Sequence, residues 1–196
     1  MAQRVLVYIL SICFVLVNFP MVVNAEAVSQ VTVKELIVKH SLEMGLDPAL
    51  ALSIAQKESN FSQNKKSRYG AIGVFQLMPR TAKKLGFNPY SLNENIKGGL
   101  TYYKQMYKMF GTTELALAAY NAGPGNVRKY NGIPPFKETK SFISTIMKNY
   151  NSMKTNPDPV IAQYNSSIKN INKFDEYNFR QQQDAIIESY LANQGI

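Results

Sequence analysis

At 196 residues the chain fits one domain with room for an appendage, and its 45% hydrophobic content is that of an ordinary globular protein. A single histidine, His40, and a single cysteine, Cys13, exclude multi-histidine metal sites, histidine-based triads and disulfides, so no metal or cofactor is expected. The net charge of +9 points to an anionic polymer or surface; the lysines are scattered and no nucleic-acid motif is present, so nucleic acid is not the expected partner.

The first element is a leader. Arg4 supplies a positive start, Val5 to Val17 an almost unbroken apolar run, and Val23-Asn24-Ala25 a small-residue cleavage site, with Ala25-Glu26-Ala27 as the alternative. Residues 1–25 are therefore expected to be a signal peptide, cut after Ala25 or Ala27. The competing reading, a retained membrane anchor, is disfavoured by Pro20 and by the polar Asn18 and Asn24. Cys13 lies inside this segment behind Ile12, where a lipoprotein signal needs a small residue. The expectation is an exported protein of the periplasm or cell-wall space, with no stable membrane anchor after cleavage.

Helical signals follow. Thr32-Val33-Lys34-Glu35 is a capping box opening a helix that carries Leu36, Ile37, His40 and Met44 and ends at Gly45. Asp47-Pro48 opens a second, nearly all-apolar helix. On it Leu50, Ile54 and Glu58 are spaced by four, so the carboxylate continues an apolar stripe. A glutamate so placed either frays into solvent or sits in a desolvating pocket that raises its pKa and fits it for acid catalysis.

Asn60 to Gly73 reads as a polar, glycine-bearing loop or a short β-like excursion, and Arg80 to Leu85 as a short helix stopped by Gly86. A longer helix from Asn93 presents Ile96, Leu100, Tyr103, Tyr107 and Phe110 as a core stripe. Thr113 to Tyr120 is a small-residue helix ending in the turn signal Asn121-Ala122-Gly123-Pro124-Gly125. Another helix spans Glu138 to about Tyr150, and Asn156-Pro157-Asp158-Pro159 then breaks the pattern before a helical or partly disordered tail, 156–196. The fold class is mainly α.

Four blocks in order carry a family resemblance: Glu58-Ser59, GAIGVFQLMP at 70–79, AAYNAGPGNV at 118–127, and Pro135-Phe136-Lys137-Glu138-Thr139-Lys140. Across roughly residues 30–152 the chain resembles the lytic transglycosylases of the soluble type, relatives of goose-type lysozyme. The resemblance implies a lysozyme-like helical domain over 30–155 with a cleft for a peptidoglycan glycan strand. It also implies that Glu58 is the catalytic acid and base. Ser67 matches the serine that polarises the substrate, Gln76 and Met78 match cleft-lining positions, and Tyr120 with Asn121 match a pair facing the acid. Ser59 and Glu138 join the substrate-binding set, Glu138 in a supporting role across the cleft. Phe75 stands where the family usually has Met, and Phe142 where many members have Tyr.

Glycosidases ordinarily need two carboxylates. Asp47 is about 16 Å from Glu58 along the same helix, and Glu94 and Glu114 fall in first turns of helices. The resemblance implies that one carboxylate suffices because the substrate's own groups complete the reaction. A hydrolytic lysozyme of the same fold and a noncatalytic wall-binding assembly module remain open alternatives. Enzymes of this short, exported kind are associated with secretion or conjugation machines, which is the expected partner beyond the wall itself.

Overall fold

A computed structural model describes residues 29–170 together with residues 173, 180 and 181. The expected leader and most of the tail beyond residue 170 lie outside the described residues. Among the described residues up to 155, seven helices follow one another: α1 (Gln30–Glu43), α2 (Pro48–Ser59), α3 (Pro79–Leu85), α4 (Leu92–Phe110), α5 (Thr113–Ala122), α6 (Pro124–Lys129) and α7 (Lys137–Thr155). Among the described residues no strand forms; two antiparallel bridges, Lys66 with Ile72 and Ile72 with Leu77, fold the segment between α2 and α3 on itself. No described helix is long and apolar enough to cross a membrane.

The order of packing follows from which helices can be buried all round. Residues Ala49 to Ala55 of α2 are buried without interruption, so α2 is enclosed, with α1 on one side and α7 on another. Small side chains on α5, Ala116, Ala118 and Ala119, let α4, α6 and α7 approach it closely. Asp47 caps α2, its carboxylate accepting from the Ala49 amide at 2.9 Å.

Several boundaries differ from the expected ones, each for a local reason. The cap of α1 is Ser29, whose hydroxyl accepts from the Thr32 amide, so the helix starts a turn before the Thr32 box. Helix α5 runs on through Asn121 and Ala122, because nothing before Gly123 breaks it. What reads as a turn at Pro124 is a further helix, α6, with proline at its first position and Val127 buried. Helix α7 reaches Thr155 rather than Tyr150. Tyr107, expected in the core stripe of α4, is 46% exposed, whereas its neighbour Met106 is buried and Phe110 packs against the core.

After the break at 156–158 the chain is helical again over 159–170 and lies against α1. Lys34 on α1 pairs with Asp158 at 2.7 Å, and Val160 is buried in the common core.

Candidate active site

Glu58 is the last residue but one of α2, and the chain after it turns sharply. Asn60 and Phe61 both hold positive φ, 54° and 65°. For a phenylalanine that conformation is strained, and it persists because Phe61 is buried with Lys34 lying over its ring, 5.0 Å from the centroid. Ser59 fixes the helix end from inside: its hydroxyl donates to the Val74 carbonyl at 2.8 Å and accepts from the Ser62 amide.

The segment 62–78 that follows is one wall of a cleft, and α4 holds it. Asn95, fully buried, accepts from the Phe75 amide at 2.9 Å and donates to the carbonyls of Ile72 and Pro89. Further along α4, a Cβ at Gly99 would overlap Cβ and Cγ of Phe75, so only glycine lets this wall seat against the helix. The opposite wall is the end of α5, with Tyr120, Asn121 and Gly123, and the start of α7, with Glu138. One bond ties the walls together: the Tyr120 hydroxyl donates to the Phe75 carbonyl at 2.8 Å.

Between the walls lies a cleft of about 440 Å³. It brings together seven of the residues singled out from the sequence: Glu58, Ser67, Gln76, Met78, Tyr120, Asn121 and Glu138. The eighth, Ser59, does not line it; its hydroxyl is spent on the backbone bonds above. Two lining aromatics, Tyr69 and Tyr102, escaped sequence analysis. Tyr102 had a signal, since it neighbours Tyr103 on the opposite side of the α4 stripe; it packs on Tyr120 at 5.1 Å.

The polar groups of the cleft are partly committed, and what remains free defines their chemistry. Ser67 Oγ accepts from the amides of Tyr69 and Ala71, which leaves its own proton to donate. Asn121 Oδ1 accepts from Thr139 Oγ1 at 2.7 Å, which leaves its amide protons to donate. Gln76, at φ 45°, spends its Nε2 on the carbonyls of Lys65 and Gly73, which leaves Oε1 as an acceptor.

Glu58 has no hydrogen-bond partner among the described residues. Burial pushes its pKa up to about 8; the nearby carboxylate of Glu138 pushes the same way, while Lys57 and Lys65 oppose. The Tyr120 hydroxyl does not bond to it, being spent on the Phe75 carbonyl. Tyr120 is buried, its own pKa held well above normal by burial first and by Glu58 second. Its ring stacks on Phe142 with centroids 6.4 Å apart. The outcome is an acid that keeps its proton at neutral pH, set among the donors of Ser67 and Asn121 and the acceptors of Gln76 and Glu138.

An all-helical domain with such a carboxylate between a loop wall and a helical wall is a lysozyme-like domain. The chain belongs to the Transglycosylase SLT domain family, whose sequence profile matches residues 35–143. It is 36% identical over 129 residues to the transglycosylase of Enterobacteria phage PRD1, covering 65% of this chain and 46% of that protein. It is 30% identical over 138 residues to the soluble lytic murein transglycosylase of Escherichia coli (strain K12), covering 58% of this chain and 21% of that protein. Among solved structures it resembles an inactive Glu-to-Gln mutant of the lytic transglycosylase Slt from Pseudomonas aeruginosa, with a TM-score of 0.54 at 28% identity. That match covers 72% of this chain and 26% of the other. The 70-kDa soluble lytic transglycosylase of Escherichia coli matches with a TM-score of 0.55 at 27% identity, over 65% of this chain and 25% of that one. The chain thus spans less than half the length of each of these proteins.

Proposed function

We propose that the protein is a peptidoglycan lytic transglycosylase, cleaving the β-1,4 bond between N-acetylmuramic acid and N-acetylglucosamine without water. The observation that carries this reading is the single desolvated carboxylate, Glu58, with a pKa of about 8 in a cleft where Ser67 and Asn121 keep protons to donate. Protonated at neutral pH, Glu58 gives its proton to the glycosidic oxygen as that bond breaks. The 2-acetamido oxygen of the muramic residue stabilises the cationic anomeric carbon. Ser67 and Asn121, left with protons to donate, suit the polarisation and orientation of that acetamido group. Glu58, now a carboxylate, takes the proton of the muramic 6-hydroxyl as its oxygen closes the 1,6-anhydro ring, which restores the acid.

The other residues support this cycle. Gln76 Oε1 suits a sugar hydroxyl, Met78 offers an apolar surface, and Tyr120 walls off water. Glu138 is exposed at the mouth and acts on Glu58 through its charge. A Glu-to-Gln mutant of the Pseudomonas relative is inactive, in keeping with dependence on one glutamate.

Mass analysis of digested peptidoglycan tests the reading. Wild type should release muropeptides lighter by one water than hydrolysis products, and Glu58→Gln should lower the rate by about 10²–10⁴-fold while still binding wall material. Reducing-end products would mark a hydrolytic lysozyme, and unimpaired function of Glu58→Gln would mark a noncatalytic wall-binding module.

Residues 1–25 serve in this reading as an export leader, delivering the domain of residues 30–155 to the periplasm. There it opens the wall locally for a secretion or conjugation machine, with 156–196 as a tail. Sequencing the exported protein should find Glu26 or Val28 first; an N-terminus retaining Arg4 would overturn the leader.

A further inference from the structure

At the lip of the cleft, Arg68 and Tyr69 form the tip of a turn closed by the Gly70 amide donating to the Ser67 carbonyl at 3.0 Å. Ser67 Oγ accepts from the amides on either side of Gly70, so the turn is fixed although Tyr69 is 68% exposed. The Arg68 guanidinium lies over the Tyr69 ring, 4.6 Å from its centroid, and donates to the Tyr69 hydroxyl. Tyr69 lines the cleft, whereas Arg68 is exposed and makes no ion pair among the described residues.

A guanidinium laid along a ring has already lost much of its rotamer freedom, so it meets a partner at reduced entropic cost. Its planar fork matches a carboxylate in a way a lysine does not. The rest of the lip favours an anion too: Lys65 and Lys66 flank the turn, and 59–69 contains no acidic residue. Across the mouth Glu138 would repel a negative group, which leaves the Arg68 side as the place for one.

Resting on the peptidoglycan reading above, we propose that Arg68, held in place by Tyr69, is a specificity residue that recognises the carboxylates of the peptide stems carried by the glycan strand. The stems leave the sugar at its side, so the lip rather than the floor of the cleft is where their charge passes.

The test compares stem-bearing glycan strands with the same strands stripped of their stems by an amidase. Arg68→Gln should lower kcat/KM on stem-bearing strands about fivefold, the upper end for one exposed pair, through KM, and leave stripped strands unaffected. Arg68→Lys should recover part of the loss, and added salt should erode the wild-type preference. Equal losses on both substrates, or no loss on either, would overturn the proposal. If wild type cleaves neither, the transglycosylase reading fails and binding decides the arm. Stem-dependent retention by Glu58→Gln that Arg68→Gln abolishes would sustain it, and equal retention of both strand types would sink it.

Discussion

At the scale of the residue, the proposed mechanism makes the proton on Glu58 set the working pH range. Its folded pKa of about 8 lies above the ordinary 4.5, so the acid form that starts the reaction is populated at neutral pH and lost as pH rises through 8. The kcat/KM profile should therefore fall on an alkaline limb near pH 8. Glu138 raises that value by its charge, so Glu138→Gln should move the limb toward lower pH. Activity near pH 6 should persist in that variant. Its abolition would instead make Glu138 the second carboxylate of a hydrolytic pair.

At the scale of the element, α4 decides whether the loop wall stands. Gly99→Ala would drive a methyl into the backbone-proximal atoms of Phe75, and shortening Phe75 would not relieve it because its Cβ remains. The expected loss is about 1–3 kcal/mol for overpacking, read as a lower Tm, with a raised KM as the wall shifts. Gly125→Ala, which meets open space on α6, should change neither. This support was the part least legible in the sequence. Glu58 announced itself by ending an apolar stripe, and the order of helices followed from caps and periodicity. Asn95 looked like any polar residue early in a helix, and its two bonds to Ile72 and Phe75, some twenty residues away, have no local signature. The adjacent Gly98 and Gly99 inside a helix were a usable sign of close approach, since glycine there is otherwise unfavourable. Ser59 reads as a cleft residue beside Glu58, yet it faces inward, its hydroxyl bonded to the Val74 carbonyl.

At the scale of the whole molecule, the segment after α7 is fastened to the first helix. Asp158 accepts from the Val160 amide, as a cap for 159–170, and pairs with Lys34. Asp158→Ala should lower stability by about 1–2 kcal/mol, the sum of a lost cap and a half-buried pair. Limited proteolysis should then cut after Thr155 sooner than in wild type, with wall cleavage unchanged. Proline spacing marked this break in the sequence, but the partner on α1 lies more than a hundred residues away and could not be read from it. The Tyr120 hydroxyl has a comparable reach: its bond to the Phe75 carbonyl joins a wall hung on α4 to a wall built from α5. It works as a tie beam under an open roof. The gauge of the cleft is fixed by this buried bond, so on the proposed function strands of varied decoration would meet the same spacing around Glu58.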